Sequence, residues 1–520
     1  MCGIWCVVGE TFEEYDVQTY VTCLRNRGPE HTQVFLSKQY QLGFTRLALN
    51  GLSDSGNQPM FDSDVRWVCN GEIYNWKQLA TKIGFENKTG SDCAILGPFL
   101  NNSESIQDFF SSLHGVFATV LVRKNQIVVG RDPFGVRPLF YSKTDKNIVF
   151  ASELKAIPSQ RPVVAFPPGC FATIDPVSLD MTIQTYHVRV QQEIRDTFQS
   201  IRNSLEQAVS LRMMTERPVA CLLSGGLDSS LIAALVQKQL RQQNKCLETF
   251  SIGFQHSQDL KYARIVAQHI GSKHTEIIKT PDEFFDAIPS VIKDIESFDI
   301  TTVRASVGNW LLGKYIRQNS TCKVVFNGDG SDEVFGGYLY FFKAPSSKEF
   351  EEESDRLLND IHLFDVLRSD RCMSSHGLEP RTPFLDKDFV NTVKSVDVCL
   401  RKPSSEKIEK WVLREAFSGT NILPSEVLWR KKEAFSDGVS NPQGICWYQE
   451  CQQRSLQLFP NWKEDSRYIQ HLPPQTAESF YYRMLFDAYY PAFEHVILYF
   501  WMPKWSPETN DPSAKTLDVY

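Results

Sequence analysis

The chain has 520 residues, a formal net charge of −7 and 42% hydrophobic residues. This length exceeds one ordinary core and calls for two or more domains, while the acid excess argues against nucleic acid or an anionic membrane as main partner. The 13 cysteines are scattered with no C-x-x-C pair, which argues against a zinc site or disulfide framework and for a reducing, cytoplasmic setting. The longest apolar run, HVILYFWM (495–502), falls far short of a membrane span, and no charged-then-apolar leader opens the chain.

The chain begins MCGIW. The plain reading of Cys2 is a buried thiol at the start of an N-terminal strand. The sharper reading is that Met1 is removed, which leaves a thiol nucleophile and a free α-amine on one residue. Such an amine, with a pKa of about 7.7–8.0, can take a proton near neutrality. From residue 1 to about 190 the chain reads as short strands and turns. IWCVVG, QLGFTRLAL, VRWVCNGEIY, VFATVLVRK, QIVVGRD and CFATID are apolar or alternating runs broken by Gly, Asn and Asp. A helical pattern, NWKQLATKI, interrupts them. Together they predict an α+β domain of stacked antiparallel sheets between helices.

A helical stretch begins near Phe198, and the pattern then changes. RPVACLLS, LETFSIGF and KVVFNG read as buried strands, with SSLIAALVQKQL and ARIVAQHIG as helices between them. Strand–helix alternation with apolar strands predicts an α/β domain built on a doubly wound parallel sheet. From about residue 340 the pattern is mostly helical, and the acidic run EFEEESD reads as a solvated helix face. The division expected is 1–190 and 191–520.

Two segments of the second half carry chemistry. In CLLSGGLDSS (221–230) a buried strand ends, two glycines allow a tight turn and a helix begins, so backbone N–H groups and the helix dipole face an anion. The G-K-[ST] ending of a Walker loop is absent. The Ser-Gly-Gly-x-Asp-Ser pattern resembles the pyrophosphate loop of N-type ATP pyrophosphatases. The segment NGDGSDEVFGGY (327–338) follows another buried strand and brings three acids into a glycine-rich turn. Carboxylates beside a phosphate need a cation between them, which suggests Mg²⁺ held by Asp228 and Asp332.

In the first half, MCGIW, RGPE (27–30), the arginine of FTRLALN, NGEIYN (70–75), GSDC (90–93) and RDPFGVRPL (131–139) resemble the class II glutamine amidotransferases, an Ntn-type domain. Joined to a pyrophosphate loop, and with IESFDITTVRAS (295–306), LEPRTPFLD (378–386), WRKKEAFSDGV (429–439) and the C-terminal FWMPKW and DPSAKTL, the chain resembles the glutamine-hydrolysing asparagine synthetases with a eukaryotic-type C-terminus. The resemblance spans nearly the whole chain in the right order.

That resemblance implies a set of roles. Cys2 would attack the glutamine amide, with Asn70 and Gly71 stabilising the oxyanion. Arg46 would take the glutamine carboxylate within the segment Arg46, Leu47, Ala48, Leu49 and Asn50, while Glu72 and Asp92 face the ammonium. Ser224, Gly225, Gly226, Asp228 and Ser229 would hold the pyrophosphate of ATP. Leu223 and Ile252 match the adenosine pocket, and Asn327 and Gly328 a backbone contact to the nucleotide. Lys432 would neutralise charge as β-aspartyl-AMP forms, and Thr301, Thr302 and Arg304 match the segment that receives aspartate. The implied partners are glutamine, aspartate and ATP, with Mg²⁺ as cofactor and a homodimer as assembly. Three positions depart from the family pattern. Asp329 stands where glutamate is common, at a position implicated in forming or consuming the adenylate. Glu30 stands where aspartate is usual, and Ala94 where an acid more often follows the cysteine. A ligase amidating a different acid, or an inactive glutamine- and ATP-binding sensor, are the competing readings.

Overall fold

A computed structural model describes residues 1–513 apart from 124, 160, 442, 443, 445, 507 and 508. The first half is two six-stranded antiparallel sheets stacked face to face. Alternation in GIWCVVG explains the stacking. Ile4, Cys6 and Val8 point between the sheets and meet Val68, Val120 and Val129. Trp5 and Val7 point to the other face, onto Val17 and Val21 of the helix Glu14–Thr22. The second sheet buries Trp67, Cys69 and Ile73 against the helices Trp76–Ile83, Leu96–Asn102 and Ile106–Ser112. Sheets between helices follow from strands that are apolar on both faces.

The run QLGFTRLAL does not continue as a strand to its end. Pairing stops at Arg46, and Leu47, Ala48 and Leu49 form a buried loop. Leu47 and Leu49 belong to the apolar cluster of the second domain, so they are apolar because they lie at the domain interface.

After the last strand of the first half, Met181–Thr185, residues 187–196 carry no regular structure. The helix Thr197–Leu211 follows, with Asp196 capping its start. The second half is a parallel sheet in which the strands Lys273–Ile278, Glu248–Gly253, Val219–Leu222, Val324–Phe326 and Glu379–Arg381 lie side by side in that order. The order reverses between Val219–Leu222 and Val324–Phe326, and the carboxyl ends at such a switch point form the crevice where α/β proteins bind ligands. The two outer strands, KHTEII and EPR, lack apolar runs and gave no strand signal in the sequence. Their pairing with an already formed sheet supplies it.

Helices dominate from Ser331 onward. The acidic run is not simply a solvated face. In the helix Ser347–Asp360, Glu353 is wholly buried, accepting from Tyr340 Oη at 2.8 Å and pairing with Arg356 at 2.7 Å. Among the described residues no helix is long and apolar enough to cross a membrane. DPSAKTL crosses the limit of the described residues: 511–513 are within it, and the remainder lies outside.

Candidate functional site

The first site gathers where the strand Gly3–Gly9 meets the end of Tyr40–Arg46 and the middle of Val65–Ile73. The Cys2 N–H donates to Asn70 Oδ1 at 3.1 Å, and Cys2 Sγ lies 3.9 Å from Leu47 O. Burial pushes the thiol up to about 11, so it needs a base to ionise near neutrality. The other end of the Asn70 amide, Nδ2, is buried with no partner. A buried donor left open costs stability unless a ligand uses it. Gly71 is required by close approach: a Cβ there would lie 2.1 Å from Val116 O.

Around this corner, Asn50 Nδ2 donates to Glu72 Oε2 at 2.6 Å and reaches Asp92 Oδ1 at 3.5 Å. The Ile73 N–H donates to Asp92 Oδ2 at 2.6 Å. Burial pushes Asp92 up to about 6, and burial with the neighbouring Asp92 charge pushes Glu72 well above the ordinary carboxylate range. Arg46 is not an open fork. Its Nη1 donates to Ser53 O and Asn57 Oδ1, both at 2.8 Å, and its Nη2 to Gly51 O. These acceptors are neutral, and no carboxylate pairs with Arg46 among the described residues, so its charge is still available to an anion.

Three arginines, one each from RGPE, RDPFGVRPL and LEPRTPFLD, surround the site. Arg27 donates from Nε to Cys2 O at 2.9 Å and from Nη1 to Glu153 and Asp370, both at 2.7 Å. Arg137 pairs with Glu379 at 3.2 Å, and Arg381 joins Glu379 at 3.0 Å to Glu72 at 3.5 Å. The amine of Met1 is buried 3.7 Å from Glu379.

The second site fills the sheet's switch point with a cavity of about 240 Å³. Leu223, Ser224, Gly226, Asp228 and Ser229 line it together with Ile252, Asn327, Gly328, Asp329, Asp332 and Lys432. Gly225 does not. Its φ of +74° turns the chain, and a Cβ would meet Tyr262 and Ala263 at about 2.5 Å. The loop is preformed: Ser224 Oγ lies 3.0 Å from Ser229 Oγ and accepts from the Gly226 N–H at 3.3 Å.

Asp228 and Asp332 converge on one cation. Lys410 Nζ lies 2.6 Å from Asp228 Oδ2 and 2.7 Å from Asp332 Oδ1, and Lys432 Nζ also reaches Asp332 at 2.7 Å. Burial works against ionisation, but the two ammonium groups outweigh it and hold Asp332 well below the ordinary carboxylate range. Lys410, in KIEK with no recognisable motif around it, had no signal in the sequence. Asp329 accepts from Asn327 Nδ2 at 2.7 Å and from Arg368 Nη2 at 3.0 Å, and burial pushes its carboxyl up.

The aspartate set divides. Thr301 lines the cavity with its hydroxyl buried and unpartnered. Thr302 does not line it, because its N–H and Oγ1 both donate to Asp299 at 2.8 Å in the cap of the helix Ile300–Asn319. Arg304 reaches the wall, but its fork is filled. Glu478 takes two of its bonds, at 2.7 and 2.5 Å, and Asp511 two more, at 2.9 and 2.7 Å. These two acids lie more than 170 residues further along the chain and are out of reach of local reading.

A thiol beside an open amide donor and an acid pair, in stacked antiparallel sheets, defines a class II glutamine amidotransferase. The parallel sheet with its Ser-Gly-Gly loop adds an ATP-using synthetase. The glutamine amidotransferase domain model matches residues 1–212, and the asparagine synthase model matches 200–358 and 344–492. The chain is 40% identical to the glutamine-hydrolysing asparagine synthetase of Gallus gallus and 39% identical to that of Homo sapiens, each over 100% of this chain and 99% of the relative. It is 37% identical to a probable asparagine synthetase of Acanthamoeba polyphaga mimivirus over the full length of both. The chain belongs to the glutamine-hydrolysing asparagine synthetase family and is an ATP-dependent ligase with glutamine as amide-nitrogen donor.

If Lys410 organises the second site, Lys410→Ala should lower pyrophosphate release in synthesis about 100-fold or more, leaving glutamate release from glutamine within about twofold. Equal loss of both activities would make Lys410 a general structural residue instead.

Proposed function

We propose that Cys2, freed of Met1, is the glutaminase nucleophile. The observation that carries this is the unpartnered, buried Asn70 Nδ2 beside a residue-2 thiol. The Cys2 amine takes the thiol proton as Sγ attacks the amide carbon, and returns a proton to the departing ammonia. The oxyanion is met by Asn70 Nδ2 and the Gly71 N–H, and water then releases glutamate from the thioester. Arg46 attracts the substrate carboxylate, Asn50, Glu72 and Asp92 receive its ammonium, and the Leu47–Leu49 backbone forms the wall next to the thiol.

In the second site, a carboxylate oxygen of the aspartate side chain attacks the α-phosphorus of ATP and pyrophosphate leaves. Ser224, Gly226 and Ser229 hold the pyrophosphate through their N–H and hydroxyl groups, with Gly225 making the turn and Lys432 adding positive charge. Leu223 and Ile252 pack on the adenosine, and Asn327 and Gly328 face the nucleotide. Ammonia attacks the aspartyl carbonyl and AMP leaves, giving asparagine. Thr301 offers its free hydroxyl to aspartate, and Asp329 accepts a proton from the attacking ammonia. Asp228 and Asp332 both line the cavity beside the Ser-Gly-Gly loop and are the pair that would hold Mg²⁺. Mg²⁺ bound there would neutralise phosphate oxygens. The 13 scattered cysteines, none at C-x-x-C spacing, support a reducing compartment such as the cytoplasm.

The test is product analysis on protein given ATP, Mg²⁺, aspartate and glutamine. Asparagine, AMP, pyrophosphate and glutamate should appear together, whereas glutamate without asparagine would mean that the second site activates another acid. Cys2→Ala should abolish glutamine-dependent synthesis and spare synthesis from ammonium chloride. Conversely, Asp329→Asn should leave glutamine hydrolysis intact and abolish asparagine formation, and normal asparagine output would remove Asp329 from the mechanism. The raised pKa of Asp92, about 6, means that its charge is lost as pH falls through that value. The kcat/KM for glutamine, which reports the free enzyme, should therefore drop below about pH 6, and a wild-type profile without that inflection would exclude Asp92 as the ammonium partner.

A further inference from the structure

The glutamine loop, residues 47–51, is held from outside its own domain. Three consecutive residues of the synthetase half, Thr215, Glu216 and Arg217, run along it. The Glu216 N–H donates to Leu49 O at 2.9 Å, and Glu216 Oε1 accepts from the Gly51 N–H at 2.6 Å. Arg217 Nε donates to Ala48 O at 2.9 Å, and its Nη2 pairs with Glu30 at 3.1 Å. The second oxygen of Glu30 accepts from the Ala48 N–H at 2.8 Å. The N–H and C=O of Ala48, the C=O of Leu49 and the N–H of Gly51 are thus all satisfied through this contact. Backbone groups in a buried loop demand such partners, and here the partners set the shape of the loop.

That shape matters for the chemistry. Leu47 O faces the Cys2 thiol, and Asn50 reaches Glu72 and Asp92. Glu216 and Arg217 touch none of these groups. Two residues after Arg217 the buried strand Val219–Leu222 begins, and it ends directly at Leu223 and Ser224 of the pyrophosphate loop. The segment that clasps the glutamine loop is thereby anchored to the buried middle strand of the other domain's sheet.

We propose that Glu216 and Arg217 are positioning residues for glutamine hydrolysis, supplied by the synthetase domain to hold the 47–51 loop in its glutamine-binding shape. The longer side chain of Glu30, at the position where the family pattern has aspartate, completes the clasp by joining Ala48 N to Arg217. The proposal rests on the reading of Cys2, Asn50, Glu72 and Asp92 as the glutamine site.

The test measures glutamate release against glutamine concentration, and separately synthesis from ammonium chloride, on the full chain. The double variant Glu216→Ala/Arg217→Ala should raise KM for glutamine about fivefold or more, while ammonia-dependent kcat stays within about twofold. Glu216→Gln keeps an oxygen for the Gly51 N–H and should bind glutamine like the unaltered protein. A KM that does not move in the double variant overturns the proposal. If the double variant loses both activities, Arg217→Met decides: it keeps the aliphatic stem and removes only the bonds to Ala48 and Glu30, and an unchanged KM there also overturns it. Glutamine hydrolysis that persists in Cys2→Ala would instead overturn the glutamine-site reading itself.

Discussion

Arg27 is taken wholly out of water, and much of the molecule is arranged around that fact. A buried guanidinium is tolerated only when its donors are paired and its charge is balanced. Here Nε meets Cys2 O, while the two Nη atoms share Glu153 of the first domain with Asp370 and Ser374 of the second. Removing one partner of a buried pair of this kind costs about 3–5 kcal/mol. The docking of the two domains and the placing of the Cys2 carbonyl are therefore one constraint, and Cys2 cannot shift without disturbing the interface.

The helix Asp365–Ser374 carries that constraint between the two sites. Its Arg368 reaches Asp329 at 3.0 Å and Asp365 of the same helix at 2.8 Å. Asp370, Arg371 and Ser374 of the same helix face Arg27 and Glu153. Arg368 and Asp370 are two positions apart, about 3 Å of helix rise, so the ion pairs beside Cys2 and beside Asp329 are referenced to one element. Ammonia must stay neutral to act as a nucleophile, and exposure to bulk water would protonate it. The interface beside the glutamine loop suits that need: Leu47, Leu49, Val116, Phe134 and Val136 share one apolar cluster with the synthetase helices.

Lys410 is a second constraint of the same kind. It sits at φ +56°, a conformation that a lysine adopts at some cost, with its ammonium between Asp228 and Asp332. Two acids in a glycine-rich crevice would repel each other and drift apart. The resident ammonium keeps them converged on one point at the mouth of the Ser-Gly-Gly loop.

Much of this was legible in the amino-acid order alone. Alternation in GIWCVVG and VRWVCNGEIY defined the sandwich because side-chain period in a strand is two. The apolar strands followed by helices defined the parallel sheet, and the glycine-rich turns after VACLL and VVF marked its switch point. Residues adjacent in the chain on one loop or one strand, such as Ser224 to Ser229 or Asn70 and Gly71, carry their geometry in local backbone chemistry. Tertiary structure alone decided which charges are free. Arg304 looks open in TTVRAS but is closed by Glu478 and Asp511. The leucines of LALN look like a strand but are an interface loop held by Glu216 and Arg217. Lys410 looks like a surface lysine but bridges two acids at the starts of different helices. Each of these outcomes depends on partners far away in the sequence, and an ion pair or a loop clasp has no periodicity by which one half could announce the other.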